Sequence, residues 1–422
     1  MNKKIKPKYM IGVLSASLLA ISVVMPMTAV AANKVTEIRL FGNSTDKAAT
    51  DAMIKKFQEA NPLIKITPTY YAVTEGQAAL STQLAAGTAP EIIQAKPGSG
   101  SADGIVQMAK NNFIAPINRN WASLVPKNEQ ALRYQGTIYG VPVSAQGVGY
   151  IYSPEIMKKA GLTPPSKWSD VRAFCTAAKA NGTPAYGAPW STGWPTIMHS
   201  YSVTATLLYS QDSSFTDNQY AGKATFADSA WVKSFDMMLD MKSWGCFNES
   251  PNSTTYAMTT EDLAKGKVLG WLGLPTIIPA LAAIAPAGTT WSFAAHPATD
   301  NPKDTFIPSS ILRVYALNKK AENNYAAKKF IDFLASQEAR KIFVGLSGGI
   351  PAGPVTGYVP TSPAVAEIIK YRSAKKTFLF IDQQWQSPKV QQALIAGVQA
   401  MFAGTDTPKG VAEKMDKALQ GK

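Results

Sequence analysis

The sequence predicts an α/β fold, a mostly parallel sheet flanked by helices, because strand-like and helix-like segments alternate after the N-terminal apolar run. The strand-like segments alternate polar and apolar residues, whereas the helix-like segments repeat apolar residues every three to four positions. Right-handed crossovers between such units make an open α/β lobe. In chain order the segments are strand 34–42, helix 44–62, strand 63–72, helix 75–90 and strand 91–96.

Breaker residues place the ends of these elements. Asn61-Pro62 ends the first helix and Gly87 ends the second. Near Gly136 the pattern changes to one long extended stretch, and the chain beyond it is mostly helical with a late strand at 309–317. Residues 323–345 carry the longest amphipathic pattern and predict a helix.

Residues 1–31 have the three parts of an export signal. Four lysines lie within the first eight residues, an apolar run occupies 11–24, and Ala29-Val30-Ala31 matches the small-x-small cleavage pattern. We therefore expect cleavage near Ala31 and a periplasmic mature protein. The alternative interpretation is an N-terminal membrane anchor, which the short, Ser- and Ala-containing run disfavours.

The length of the chain indicates its number of domains, and its charge distribution bears on the kind of partner it binds. The 391 residues after the signal are too many for one core, so two or three domains are expected. The formal net charge is +14, of which the signal lysines contribute four. The remaining positive charge is spread over the chain in pairs of basic residues, such as Lys319-Lys320 and Arg340-Lys341, without a basic-aromatic strip, so we expect no nucleic-acid partner.

The chain has two cysteines, Cys175 and Cys246, each near the end of a helix-like segment. Cysteines of an exported protein meet an oxidising compartment, which favours a disulfide between them. The alternative is two small buried apolar side chains. No cysteine lies near the predicted cleavage point, so a lipid-anchored lipoprotein is not expected.

The common catalytic motifs are missing from the sequence. It contains two histidines, His199 and His296, and no G-x-S-x-G, P-loop, C-x-x-C or H-E-x-x-H motif. We therefore predict that the protein is not an enzyme and has no cofactor or metal. A secreted glycoside hydrolase stays open, because its two carboxylates can come from any part of a chain. A surface adhesin that binds large glycans is a further alternative.

Five stretches in the same order resemble one family. They are "FQEANPLIKITPTY", "TQLAAGTAPEIIQA", "GTIYGVPVSAQGVGYIYSPEIMKKAGLTPPSKWSDV", "LAKGKVLGWLGLPTIIPAL" and "NNYAAKKFIDFLASQEARKIF". The chain resembles the extracellular solute-binding proteins of ABC transporters, in the carbohydrate-binding branch that includes maltose- and glycerol-phosphate-binding proteins. The resemblance implies a sugar ligand, membrane permease subunits as partners, and a monomer.

The resemblance also implies a two-lobe fold, with each lobe a mostly parallel sheet flanked by helices and several hinge segments between the lobes. It places the hinges near 144–148, 291–294 and 344–347. The N-terminal lobe would comprise 32–147 and 292–345, and the C-terminal lobe 148–291 and 346–422. Ligand contacts to both lobes would favour the closed state of such a clamp.

Two tryptophans in the Gly- and Pro-rich stretch 187–200 are candidates for the sugar site. A sugar has an apolar C–H face that an aromatic ring can cover, and a rim of hydroxyls that amides and carboxylates can bind. Trp190 and Trp194 are predicted to supply such a ring, and Trp194 is favoured because Gly193 and Pro195 flank it. The alternative is that both cap a core.

The remaining candidates follow strands or match positions of the family. Ligands of open α/β sheets bind beyond the carboxyl ends of the strands, which selects the loops after the first and third strands. Packing or solvation is the alternative for each candidate, and the several cations leave room for an anionic sugar such as a sugar phosphate. The candidates are Phe41, Asn43, Ser44, Lys96, Ser99, Gln146, Trp271, Gly273, Ser310, Arg313, Arg372 and Trp385.

Overall fold

The structure is a computed structural model that describes residues 34–117 and 130–421. The predicted signal peptide lies outside these residues. Within them, no helix is both long enough and apolar enough to cross a membrane.

The strands form two separate sheets and one small hairpin. Their bounds are β1 (Thr36–Asn43), β2 (Ile64–Tyr71), β3 (Ile92–Ala95), β4 (Arg133–Tyr134), β5 (Thr137–Ile138), β6 (Val141–Gly147), β7 (Gly149–Tyr152), β8 (Gly270–Gly273), β9 (Ser292–Ala294), β10 (Ile307–Leu317), β11 (Ile350–Pro351) and β12 (Thr377–Phe378).

The helices surround the two sheets. Their bounds are α1 (Lys47–Ala60), α2 (Val73–Ala86), α3 (Ile105–Lys110), α4 (Pro154–Ala160), α5 (Trp168–Ala180), α6 (Met198–Thr204), α7 (Phe215–Tyr220), α8 (Ala230–Ser243), α9 (Tyr256–Ala264), α10 (Ile278–Ile284), α11 (Tyr325–Leu334), α12 (Gln337–Ser347), α13 (Pro363–Ser373), α14 (Pro388–Phe402) and α15 (Pro408–Leu419).

The larger sheet has the strand order β11-β6-β10-β3-β1-β2, with β12 beside β10. We call the part of the protein built on this sheet the first lobe. Strands β1, β2 and β3 are parallel, as predicted, and α1 and α2 connect them. Strand β10 runs antiparallel to both β3 and β6. One apolar cluster lies on each face of the sheet.

The smaller sheet has the order β8-β7-β9 and is antiparallel throughout. We call the part built on it the second lobe, and a separate, aromatic-rich apolar cluster fills it. The α/β prediction is therefore confirmed, but the prediction of mostly parallel sheets is wrong for the smaller sheet and holds for only part of the larger one. Strands β8 and β9 reach the sheet from distant segments, and both run opposite to β7.

Between β6 of the larger sheet and β7 of the smaller sheet, the connection is one residue long. Val148 makes this crossing, and its N–H donates to the carbonyl of Pro308 at the start of β10 (2.9 Å). Two chain segments therefore lie side by side between the sheets. We use the word hinge for this pair of crossing segments. The exact lobe boundaries stay a prediction.

Helix ends follow the local sequence signals. Gly87 ends α2 in the left-handed conformation, with a φ of 69°, as the breaker predicted. The single helix expected over 323–345 is instead two helices, α11 and α12. Ser336 lies between them, and its side chain accepts a hydrogen bond from the N–H of Ala339, which makes it the N-cap of α12.

A disulfide joins Cys175 in α5 to Cys246, which follows α8, with the Cα atoms 4.7 Å apart. Both cysteines are completely buried in the apolar cluster of the second lobe. The bond closes a long loop of the second lobe and fixes α5 beside the end of α8.

Candidate functional site

A cleft lies where the carboxyl ends of three parallel strands of the first lobe face the second lobe. Thr45, Val73 and Lys96 line it just beyond the ends of β1, β2 and β3. This is the edge at which open α/β sheets bind ligands. The inner part of the cleft contains about 680 Å³ of space not filled by atoms, a volume that includes space open to solvent.

The opposite wall and the floor come from the second lobe and from the hinge. On the second-lobe side, aromatic and aliphatic side chains predominate. At the floor, three apolar residues accompany one cation. The other lining residues, of which Leu312 and Arg313 belong to β10 of the larger sheet, are Val148, Trp194, Ile197, Met198, Tyr201, Tyr256, Leu274, Thr276, Leu312, Arg313, Phe380, Asp382 and Gln391.

Trp194 is half-buried and presents part of its indole to this cleft. Its ring centroid is 5.6 Å from that of Tyr256 and 5.9 Å from that of Trp271, which it meets edge-on at 79°. Tyr256 and Trp271 also contact each other, with centroids 5.6 Å apart. The three rings support one another, so the exposed indole is held in one orientation.

The breaker residues around Trp194 explain how a large ring is held at the edge of a lobe. Gly193 has a φ of 82°, a conformation that favours glycine, and it starts the short 3₁₀ turn Trp194–Ile197. Pro195 fixes the second residue of this turn. The turn then leads directly into α6, which carries Met198 along the same wall.

Both cations that line the inner cleft have carboxylate partners. Arg313 forms a buried ion pair with Asp46, whose Oδ2 also accepts a hydrogen bond from Gln94 (3.1 Å). The Lys96 ammonium lies 3.9 Å from a carboxylate oxygen of Asp103. The two cations of the inner cleft are therefore neutralised locally, although the whole chain carries a net charge of +14.

Asp382 supplies a carboxyl group with spare hydrogen-bonding capacity. Its Oδ2 accepts from the side chain of Gln391 (3.0 Å), whereas its Oδ1 accepts no hydrogen bond within the described residues. Burial raises the pKa of this carboxyl, and the nearby Lys96 ammonium offsets part of the increase. The Tyr201 hydroxyl also lowers this pKa, although the two groups do not meet in ordinary hydrogen-bond geometry.

The inner cleft continues outward into a more polar groove. Four residues line both parts, namely Val73, Lys96, Trp194 and Gln391. Glu75 adds an exposed carboxylate there, and six of the 13 additional lining residues carry amides or hydroxyls. These six are Gln77, Ser101, Ser191, Thr192, Gln392 and Gln399. The two parts form one continuous cleft, with Trp194 at the point where they join.

Three of the residues predicted from the sequence line this cleft, namely Lys96, Trp194 and Arg313. Asn43 and Ser44 directly precede the lining residue Thr45, and the Asn43 side chain accepts a hydrogen bond from the N–H of that threonine (2.9 Å). The loops after β1 and β3 are thus placed as expected, with Thr45 as the lining residue of the first loop.

The structure places three other predicted tryptophans in the cores, which corrects the prediction that they line the cleft. Trp190 is 4 % exposed, and its ring packs edge-on against Phe402 with centroids 4.2 Å apart. Trp385 is fully buried beside Trp231. Trp271 is 1 % exposed and acts as a support behind Trp194.

Two first-lobe candidates also have structural roles. Phe41 is buried and stacks on Tyr71, with ring centroids 4.8 Å apart. The Ser99 hydroxyl donates to the carbonyl of Trp385 (2.6 Å), which ties the loop after β3 to the segment before α14. Neither side chain lines the cleft, because each already packs or bonds within the protein.

The remaining candidates bond to neighbouring groups or pack within the protein instead of lining the cleft. The Gln146 amide donates to the carbonyl of Gly348 (3.2 Å), and the Ser310 hydroxyl accepts from the N–H of Phe380 (3.3 Å). Arg372 donates to the Ser309 hydroxyl (2.9 Å) beside a different concavity. A Cβ on Gly273 would lie 2.2 Å from the Trp271 ring, so this glycine makes room for that indole.

Several residues that line the cleft were not predicted from the sequence. Asp382 and Gln391 come from a segment almost 200 residues beyond Trp194, so nothing local connects them to it. Tyr201 had a signal, because it lies seven residues after Trp194 with Met198 between them, a spacing that repeats along one face of a helix. Tyr256 begins α9 and had no comparable pattern.

Comparison with known families identifies the chain. The family model of bacterial extracellular solute-binding proteins matches residues 41–341. The chain belongs to this family. The match includes the three strand ends of the first lobe and the Trp194 wall of the cleft, and it confirms the family resemblance seen in the sequence.

Relatives and solved structures agree with this assignment. The chain is 24% identical to an uncharacterized ABC transporter extracellular-binding protein of Pyrococcus horikoshii, over 87% of this chain and 82% of the relative. It is 21% identical to the multiple sugar-binding protein of Streptococcus mutans, over 84% of each. A solved chitin oligosaccharide binding protein superposes with a TM-score of 0.77 at 20% identity, over 92% of this chain and 98% of the other. The two-lobe fold is therefore shared.

Proposed function

We propose that the protein binds a sugar between its two lobes and delivers it to the permease of an ABC transporter. The observation that carries this proposal is the Trp194 indole, which is held at the cleft by Tyr256 and Trp271 and lies on the same lining as the Asp382 carboxyl. An aromatic face with a few polar groups suits the two sides of a sugar. Relatives named as sugar- and oligosaccharide-binding proteins support this assignment.

A neutral sugar fits the charges better than a sugar phosphate or sugar acid. Each cation that lines the inner cleft, Lys96 and Arg313, is already paired with a carboxylate. The carboxyl of Asp382 adds a negative charge when ionised. An anionic ligand would have to compete with these pairs, whereas a neutral hydroxyl group would not.

The hydrolase alternative is disfavoured because, among the described residues, the inner part of the cleft is lined by a single carboxyl, that of Asp382. A glycosidase needs two carboxyl groups that are both able to reach the scissile bond. Asp382 is one candidate, but Asp46 is buried and fully engaged with Arg313 and Gln94. The solute-binding family also supports a binding protein that is not an enzyme.

Binding by closure explains how one ligand contacts both walls. Thr45 and Lys96 lie on the first-lobe side, Trp194 and Tyr256 on the second-lobe side, and Val148 at the crossing between them. A sugar that touches both walls stabilises the closed state. We further propose that the mature protein is a monomer, is exported to the periplasm by the signal at 1–31, and presents its closed form to the permease.

A carbohydrate panel tests this proposal. The purified protein is heated with neutral mono- and oligosaccharides, with sugar phosphates, and with sugar acids, and each sample is then analysed for products. We expect a rise in melting temperature with a neutral sugar and no turnover. A rise with sugar phosphates alone would support the anionic alternative. Product formation would support the hydrolase.

A further inference from the structure

The floor and the second-lobe wall of the inner cleft are lined mainly by apolar side chains. Val148, Leu312 and Phe380 line the floor at the hinge, and Ile197, Met198 and Leu274 line the wall beside Trp194. Each of these six side chains is less than 9% exposed and belongs to the apolar cluster of the second lobe. The cavity therefore opens directly onto the hydrophobic core.

The polar side chains of the cavity lie away from this apolar wall, and most of them already interact with other protein groups. Thr45 and Lys96 lie on the first-lobe side, Arg313 is paired with Asp46, and the Tyr256 hydroxyl interacts with Thr276. Asp382 is the carboxyl with an unbonded oxygen in this lining. The Tyr201 hydroxyl also lines the cavity near Asp382 and Gln391, so hydrogen bonding to a ligand is concentrated at these three residues, away from the aliphatic side chains of the wall.

A sugar with hydroxyls around its whole rim is a poor match for this wall. A hydroxyl pressed against Ile197 or Leu274 would lose its hydrogen bonds to water and gain no partner. An alkyl or acyl group in the same place would instead gain from leaving water and from contact with packed side chains. Met198 is unbranched and flexible, so this wall can adapt to the shape of such a group.

We propose that the preferred ligand is a sugar that carries a short apolar substituent, which inserts against Ile197, Leu274 and Leu312 while the sugar ring lies on Trp194. This inference rests on the proposed sugar-binding function and adds the chemical class of the ligand. The apolar group occupies the inner end of the cleft. The hydroxyl-bearing part faces Asp382 and the polar outer groove.

A homologous ligand series tests the proposal on the natural protein. Calorimetry measures the dissociation constants of methyl, ethyl, propyl and butyl glycosides of glucose, galactose and maltose, in both anomers, beside the free sugars. We expect at least one series to bind about fourfold more tightly for each added methylene until the cavity is full. The 2-hydroxyethyl glycoside, which has the ethyl chain plus a hydroxyl, should lose most of the gain of the ethyl compound.

A pair of matched variants locates the effect. Ile197→Thr places a hydroxyl in the wall, and Ile284→Thr makes the same change at a side chain that is 46% exposed and outside the cleft lining. We expect the ratio of butyl to methyl affinity to fall several-fold in the first variant and to keep its natural value in the second. A ratio, measured on folded protein, is insensitive to a general loss of affinity.

The outcomes separate this inference from the function on which it rests. Free sugars that bind while alkyl glycosides bind equally or more weakly would overturn the apolar substituent and leave the sugar-binding function intact. A panel in which neither free sugars nor glycosides bind would overturn both. If Ile197→Thr fails to fold, the ligand series on the natural protein still decides the question.

Discussion

Trp194→Ala is expected to weaken sugar binding strongly, because this variant removes the aromatic surface that the cleft presents. A large aromatic side chain buries about 150–250 Å² when fully covered, and the half-buried Trp194 has part of this area left for a ligand. If a stacked sugar removes roughly 100 Å² of apolar surface from water, counting both partners, the loss is about 2.5 kcal/mol. That free energy corresponds to about a 70-fold increase in the dissociation constant.

Calorimetry with the sugar that gives the largest melting shift measures this change. Trp244→Ala is the matched control, because Trp244 is also half-buried but packs on Trp168, outside the cleft lining. We expect the control to bind with the natural affinity and both variants to keep the natural circular dichroism spectrum. A Trp194→Ala variant that is folded and binds within twofold of the natural protein would refute the stacking argument.

Three further predictions concern the second lobe and the cleft. Replacing Cys175 and Cys246 by serine should lower the free energy of unfolding by about 4 kcal/mol, the loop-entropy value for their separation of 71 residues. Urea unfolding measures this difference, and an unchanged free energy of unfolding would contradict a stabilising role of the disulfide. Burial lowers the pKa of His199 to about 3 and that of His296 well below its usual value, so the unfolded chain binds more protons below pH 6.5. Stability should therefore fall between pH 7.5 and 5, by about 2 kcal/mol from His199 and further from His296, and equal stability at both pH values would contradict the burial argument. Asp382→Asn should weaken sugar binding about tenfold in calorimetry through loss of a charged acceptor, and unchanged affinity would remove Asp382 from the site.

The first lobe was the most predictable part of the fold. Alternating apolar residues and breakers such as Gly87 directly determine β1, α1, β2, α2 and β3, so local reasoning was sufficient there. The break between α11 and α12 was missed because the apolar periodicity continues across Ser336, whereas the N-cap bond of that serine interrupts the helix. The antiparallel pairing of β7 with β8 and β9 joins segments that are distant in sequence, so local sequence patterns could not predict it.

The candidate site was predictable only where local geometry decides it. Lys96 follows a strand end, and Trp194 stands between Gly193 and Pro195, so both signals are present in a few residues. Trp190 has a similar neighbourhood, yet its ring turns into the core against Phe402. The packing of α14 decides which of these two tryptophans faces the cleft. Residues 187–200 alone do not indicate how α14 packs.

The most direct test of the account is a crystal structure of the protein with the carbohydrate that gives the largest melting shift. We expect a sugar ring on the Trp194 indole, between the loops that follow β1 and β3 and the second-lobe wall, with a hydroxyl bonded to Asp382. A carbohydrate bound elsewhere on the surface, with only solvent between the two lobes, would contradict it.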